Sequence, residues 1–168
     1  MEDKAKIMRL LPAVCVAVAC AAGIAFSVNA QTASGPNAGR RAVETRRAVY
    51  TLIGANFGPL GNVVKGSTPY DEAEVAKRID RVAFLAGLLS LNESYPDASN
   101  LGEPDTKAKA DIWENRPDFE KKLKEFQDHA VALARVSATE KADSDAFKTA
   151  VNTLGQDCKA CHDSFRAK

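Results

Sequence analysis

The chain has 168 residues, of which 45% are hydrophobic and 27% are charged, with ten glycines and seven prolines. This composition is typical of one soluble globular domain and excludes a disordered or fibrous chain. Because 23 Lys and Arg balance 22 Asp and Glu, no broad positive surface is present, and neither nucleic acid nor an anionic membrane is expected as a partner.

The N-terminal segment has the pattern of a secretory signal peptide. Three basic residues precede an apolar run at 10–26, and small residues follow at 28–30. We therefore expect residues 1–30 to be removed after Ala30 and the chain to be exported without a membrane anchor. Two alternatives stay open: an uncleaved anchor, since the apolar run is near the lower length limit for a membrane span, and lipoprotein processing at Cys20.

Cleavage would change the inventory of reactive side chains. It would remove both methionines, Cys15 and Cys20, and it would leave 20 basic and 20 acidic residues. The mature chain would then contain no Met and only Cys158 and Cys161 as cysteines. Export would bring these two thiols into an oxidising compartment, where a free pair tends to form a disulfide.

The rest of the chain shows a helical pattern. Residues 31–39 are small and polar, so we expect a flexible leader there and an ordered domain at 40–168. In four later segments apolar residues recur at alternating steps of three and four, the period of an amphipathic helix. These segments are 43–60, which Gly58-Pro59 is expected to bend or end, 75–89, which Asp71 caps, 119–133 and 147–165. They predict an all-α, antiparallel four-helix bundle.

The connection between the second and third helices is unusually long for a bundle. It spans residues 92–113 and contains two prolines and a glycine. Such a loop often borders a functional site. The sequence contains no Gly-rich phosphate loop, and its two histidines make a Ser/His/Asp set improbable.

The chemistry is at the C-terminus, where residues 158–162 are CKACH. This is the pattern of covalent haem attachment, in which two thiols add to the vinyl groups and the following histidine reaches the iron. On a helix, Cys158, Cys161 and His162 point to one side because they are three and four residues apart. We therefore predict one haem c per chain, attached through Cys158 and Cys161, with His162 as axial ligand of the iron.

Other roles for the two cysteines are weaker alternatives. A thioredoxin-like pair usually follows a strand and opens a helix, whereas this pair lies near the end of the last helical stripe. A structural disulfide is a second alternative. A zinc site is a third, but it needs two more ligands, and the other candidate, His129, lies on a different helix.

The missing methionine bears on the coordination of the iron. Electron carriers of the c type commonly use His plus Met, and the mature chain has no Met. His129 lies one step off the apolar stripe of its helix, which favours a partly exposed position, and no spacing supports a lysine ligand. Five-coordinate iron with His162 is therefore favoured. A six-coordinate, low-spin electron carrier that uses His129 is the alternative.

The chain resembles the cytochrome c prime family, the class II c-type cytochromes. The segments that carry the resemblance are ETRRAVYTLIGANFG at 44–58, TKAKADIW at 106–113 and CKACHDSFRAK at 158–168, and it extends over 40–168. The resemblance implies a homodimeric, periplasmic four-helix bundle with a high-spin, five-coordinate haem that binds NO and CO. On this basis we expect gas binding, together with single-electron transfer to redox partner proteins.

The resemblance also implies roles outside CKACH. Arg46 corresponds to an arginine near a haem propionate, which explains why a cation interrupts an apolar stripe. Tyr50 corresponds to the residue that covers the open face of the iron, and Arg166 to an arginine beside the axial imidazole. Three further residues fall in segments that touch the haem edge in the family: Arg47, Thr106 and Asp111.

A tyrosine over the sixth position of the iron has a consequence for ligand choice. The ring must move before a ligand binds, so weak ligands are rejected while NO still enters. Peroxidase chemistry needs a distal acid-base pair such as His and Arg, and only Arg46 and Tyr50 are on the proposed distal helix. We therefore do not expect the protein to be an enzyme.

Overall fold

The structure is a computed structural model that describes residues 37–99, apart from the side chain at 98, and residues 106–168. The predicted signal peptide and residues 31–36 of the predicted leader lie outside the described residues. In the described ranges, no helix has the length and apolar character needed to cross a membrane.

Four long helices make up the fold. They are α1 (Ala38–Val64), α2 (Glu72–Gly87), α5 (Arg116–Ser137) and α6 (Asp145–Phe165), and the connection between α2 and α5 contains α3 (Leu91–Ser94), a 3-10 helix (Asp97–Ser99) and α4 (Asp111–Glu114). The prediction of an all-α, antiparallel four-helix bundle is confirmed.

Side-chain caps fix the beginning of two of these helices. The carboxylate of Asp71 accepts a hydrogen bond of 3.0 Å from the backbone N–H of Glu74 at the start of α2. The hydroxyl of Ser144 accepts one of 3.2 Å from the N–H of Phe147 at the start of α6. Each cap satisfies a donor that has no partner within its own helix.

The domain begins two residues earlier than predicted. Ala38 and Gly39, assigned to the flexible leader from their small size, form the first turn of α1 and are buried. The carbonyl of Asn37 already accepts the N–H of Arg41 at 3.0 Å. Small residues without packing bulk still propagate a helix once the following turn is anchored.

Helix α1 continues through Pro59, so of the two expectations for Gly58-Pro59, a bend or an end of the helix, the end is wrong. Proline has no N–H, and it leaves the carbonyl four residues earlier, that of Ala55, without its helical donor. Nη1 of Arg78 in α2 donates to this carbonyl at 3.2 Å. The neighbouring helix therefore supplies the hydrogen bond that proline removes.

The helices pack in the order α1, α2, α5, α6 around one hydrophobic core. The predicted apolar stripes supply that core, and its fully buried members include Leu60, Ile79, Phe119, Leu133, Phe147 and Leu154. Burial of each such side chain contributes roughly 1.5–3 kcal/mol. Along much of their length α1 and α6 stay apart, and a cavity lies between them.

Candidate haem site

A cavity of about 790 Å³ is enclosed by α1, α5, α6 and part of the long connection. This volume lies in the range of small-molecule and cofactor sites. Its apolar walls are formed mainly by Ile53, Phe57, Ile112, Leu123, Phe126 and Phe165. A flat, largely apolar molecule therefore finds matching surface here.

The two cysteines and the histidine of the CKACH motif line one wall of this cavity. Cys158, Cys161 and His162 all lie on α6 and face the cavity, as their spacing predicted. The thiols are not joined in a disulfide. Burial, followed by the neighbouring Cys158, raises the pKa of Cys161 to about 11, and burial also raises that of Cys158. Before haem attachment, these directions favour neutral thiols at both sulfurs near pH 7.

The surroundings of His162 favour the neutral form of its imidazole. Burial, followed by the positive charge of Arg166, lowers the pKa of His162. A neutral imidazole has a free nitrogen lone pair, which metal coordination requires. The predicted position of Arg166 beside the imidazole agrees with this electrostatic effect.

The structure weakens the other interpretations of these residues. In the described ranges, no three His, Cys, Asp or Glu side chains are grouped as a zinc site requires. His129 is not among the residues that line the cavity. Its Nδ1 instead pairs with the carboxylate of Asp157 at 2.7 Å. This pair ties α5 to α6 just before Cys158.

Arg46 lies in the cavity wall with 4% of its surface exposed. Its Nη1 donates to the carbonyl of Ser94 at 2.9 Å and to the hydroxyl of Ser99 at 2.8 Å. Its Nη2 donates to the hydroxyl of Thr106 at 2.8 Å and to the carbonyl of Ser99 at 3.4 Å. Arg46 therefore binds both described parts of the connection to α1, in addition to placing a cation at the cavity.

The segment after Thr106 is fixed along the end of α6. The N–H of Lys109 donates to the carbonyl of Phe165 at 3.0 Å, and that of Ala167 to the carbonyl of Lys107 at 2.8 Å. An isolated antiparallel bridge between Ala108 and Arg166 lies between these bonds. Thr106 and Arg166, both predicted to be site residues, are thereby brought to the cavity.

Tyr50, predicted to cover the open face of the iron, lines the cavity from α1. Its hydroxyl accepts a hydrogen bond of 3.0 Å from the hydroxyl of Tyr95. Burial, followed by Tyr95, raises the pKa of Tyr50 well above its usual value, so its hydroxyl stays protonated. Tyr95 also lines the cavity, and the sequence analysis missed it.

One predicted site residue lies elsewhere. Asp111 is exposed at the start of α4, where its carboxylate pairs with Nζ of Lys109 at 3.2 Å. It does not line the cavity, because the turn of α4 directs the next residue, Ile112, into the wall instead. The remaining predicted residue, Arg47, does line the cavity.

The residues of the cavity fit a c-type haem. The thiols and imidazole of α6 match the attachment chemistry of the vinyl groups and the iron. The apolar walls match the macrocycle. The cations that line the cavity match the two propionates, and they are Arg46, Arg47, Lys107, Lys122 and Arg166. Of these, Lys107 and Lys122 had no counterpart in the sequence analysis.

Comparison with known proteins gives the same assignment. The chain matches the family described as Cytochrome C' over residues 41–166. It is 34% identical over 128 residues to cytochrome c' of Alcaligenes xylosoxydans xylosoxydans, which covers 76% of this chain and 94% of that protein.

Two solved structures of cytochrome c prime from Alcaligenes xylosoxidans are similar to this fold. A ferrous variant with bound NO superposes with a TM-score of 0.64 at 31% identity, covering 77% of this chain and 96% of that one. A variant with bound carbon monoxide superposes with a TM-score of 0.64 at 32% identity, covering 77% and 97%. The chain described here therefore belongs to the cytochrome c prime family and carries one covalently attached c-type haem.

Proposed function

We propose that this protein binds nitric oxide and carbon monoxide at a high-spin, five-coordinate haem iron whose single protein ligand is His162. The observation that carries the proposal is the lining of the cavity. Within the described residues it contains one histidine and no methionine, and Tyr50 lines it from α1 with an aromatic ring whose hydroxyl is hydrogen-bonded. A phenol held by a hydrogen bond covers the iron without ligating it and leaves the sixth position to a small ligand.

The relatives support the choice of ligand. Solved structures of cytochrome c prime from Alcaligenes xylosoxidans hold NO and carbon monoxide. When bound, the haem supplies the iron at which a diatomic ligand coordinates. This chain holds the haem through Cys158 and Cys161, keeps His162 neutral, and restricts access with Tyr50.

CO titration of the ferrous protein, together with the rate of CO association, tests this proposal. Wild-type protein should bind CO, and Tyr50→Ala should bind it on the order of tenfold faster or more, because burial of an aromatic ring is worth more than 1.4 kcal/mol. The matched control is Tyr70→Ala, which removes an exposed tyrosine that does not line the cavity. Absence of CO binding in both wild type and Tyr50→Ala would refute the proposal.

The proposed protein binds ligands and does not turn them over. Tyr50 and Arg46 are polar residues of α1 at the cavity, and both are engaged in hydrogen bonds with the connection. Neither is arranged as a general base for peroxide. Peroxide turnover no faster than that of free haem is the expected result, and faster turnover would reassign the protein as an enzyme.

We also propose single-electron transfer with redox partner proteins. The cations at the cavity, with Lys107 and Arg166 exposed, favour an acidic partner surface near the haem edge. Reduction by an anionic donor should slow with added salt, whereas reduction by a neutral donor should not. Equal salt dependence for both donors would contradict a role of these cations.

A homodimer is proposed through α1 and α2. These contacting helices and the residue after α2 expose large apolar side chains, Leu52 at 51%, Phe84 at 68% and Leu88 at 48% of their surfaces. A second copy, related by a twofold axis, would cover the same patch on both protomers. Sedimentation should show a dimer for wild type, a monomer for Phe84→Glu, and a dimer for the control Val131→Glu on α5. A monomeric wild type would refute the homodimer.

Export to the periplasm completes the proposal. It rests on the signal-peptide pattern at 1–30. An oxidising compartment is compatible with the mature chain, because haem attachment through CKACH leaves none of its thiols free for oxidation. The mature protein isolated from the periplasm should begin at Gln31. An N-terminus at Met1 in a membrane fraction would favour the uncleaved anchor.

A further inference from the structure

Tyr95 is a second tyrosine at the cavity, and none of the roles described above uses it. It follows α3 in the long connection and lines the cavity wall. Its hydroxyl donates to the hydroxyl of Tyr50 at 3.0 Å, across 45 residues of sequence. The hydrogen bond between the two hydroxyls therefore links the α2–α5 connection to α1, the helix that carries Tyr50.

Tyr95 is held rigidly on several sides. It is 5% exposed, and the guanidinium of Arg46 lies 4.8 Å from its ring centroid. The ring meets those of Phe119 and Trp113 edge to face, at centroid distances of 4.7 Å and 6.3 Å. Its backbone carbonyl accepts Nη1 of Arg116 at 3.3 Å. Tyr95 therefore does not follow Tyr50 when that ring moves.

The cost of moving Tyr50 follows from this asymmetry. Tyr50 is only partly buried, and its ring borders open cavity space. If the ring turns aside for a ligand, the shared hydrogen bond breaks, and the hydroxyl of Tyr95, a residue that is 5% exposed, loses its partner. A buried polar group that loses its partner opposes the movement.

We propose that Tyr95 is a positioning residue that holds Tyr50 over the sixth position of the iron and so sets how fast uncharged diatomic ligands enter. The inference rests on the proposed function, because it assumes that a ligand binds on the side of Tyr50. The Tyr50–Tyr95 hydrogen bond then selects against weak ligands. A ligand that bonds strongly to iron compensates for the broken hydrogen bond, and a weak one does not.

Rates of CO association with the ferrous holoprotein test the proposal. Tyr95→Phe and Tyr50→Phe each remove one hydroxyl of the pair and keep both rings. Each should speed CO association about threefold to tenfold, the range that corresponds to one hydrogen bond. The double variant should be no faster than either single variant, because both remove the same bond. Tyr70→Phe, at an exposed tyrosine, is the matched control and should leave the rate unchanged.

Wild type, the two single variants and the double variant should also be compared by chemical unfolding, which separates ligand control from mere structural support. Coupling between Tyr50 and Tyr95 in both unfolding and CO association supports the proposal. Coupling in unfolding with unchanged CO rates would overturn it, as would additive effects of the two substitutions on the rate. If Tyr95→Phe does not fold, Tyr50→Phe removes the same bond from the other side and gives the decisive rate.

Failure of this inference is distinguishable from failure of the proposed function. If neither wild type nor Tyr50→Ala binds CO, the proposed function itself is wrong. If both bind CO and Tyr50→Ala binds it faster, while Tyr95→Phe and Tyr50→Phe match wild type, only the role of Tyr95 is wrong.

Discussion

Arg46 provides the most informative test of how the site is built. Replacement by methionine removes the guanidinium and keeps most of the aliphatic side chain. It leaves the acceptor oxygens of Ser94, Ser99 and Thr106 without the cation that they share. If Arg46 holds the connection against α1, the folded protein should lose much of its stability.

The magnitude follows from the contacts. The hydrogen bonds to Ser94, Ser99 Oγ and Thr106 measure 2.9, 2.8 and 2.8 Å, and a fourth bond is 3.4 Å. A hydrogen bond to a charged group contributes about 1.5–3 kcal/mol. Burial of the guanidinium opposes this gain, as the lowered pKa of Arg46 indicates. We expect a net loss of about 3 kcal/mol and a fall in Tm of about 10 °C.

Urea and thermal unfolding of the holoprotein, followed by circular dichroism, measure this loss. The matched control is Arg41→Met, which removes an exposed arginine from the same helix and should change stability by less than about 0.5 kcal/mol. If Arg46→Met is destabilised by less than about 1 kcal/mol, the hydrogen bonds of Arg46 do not hold the connection, and the reasoning is wrong.

Three further predictions concern α5, α6 and the proline in α1. His129→Ala should leave the absorption spectrum unchanged, because His129 does not line the cavity and its Nδ1 pairs with Asp157; a shift from low-spin to high-spin bands would identify it as an iron ligand. In folded protein expressed without haem, the rate of alkylation of Cys161 should be low near pH 7 and rise toward pH 11, since its pKa is raised to about 11. In urea the same thiol should react fast near pH 8.5. If the folded protein reacts as fast as the protein in urea, the thiol is not buried. Arg78→Met should cost about 1 kcal/mol in wild type but less in Pro59→Ala, where the helix supplies its own donor to the carbonyl; equal costs would show that Arg78 does not compensate for the proline.

The sequence was most informative where local signals act alone. Asp71 was recognisable as a helix cap because its carboxylate bonds three residues ahead. The period of 3.6 residues placed the buried face of each long helix, since burial of one stripe is what drives amphipathic helices together. The CKACH residues were placed together because one helical turn fixes their geometry, whatever the rest of the chain does.

Contacts between distant residues account for what the sequence did not reveal. Pro59 indicated a helix end, but Arg78 from another helix supplies the missing donor. Tyr95 was missed because its partner Tyr50 is 45 residues away. The sequence offered one signal for Tyr95: it is an aromatic residue next to a proline, in a long connection that borders a site. Asp111 was predicted to lie at the cavity because its segment borders the site. Within that segment, the orientation of a single helical turn decides which side chain faces the cavity, and this is Ile112.

The coordination number of the iron is the most direct test of the central claim, that His162 is the only protein ligand. It is measured by absorption and resonance Raman spectra of the ferric and ferrous holoprotein in the absence of added ligand. High-spin, five-coordinate signatures in the ferrous state are the predicted result. Low-spin, six-coordinate signatures in both oxidation states would contradict the account and indicate a second protein ligand.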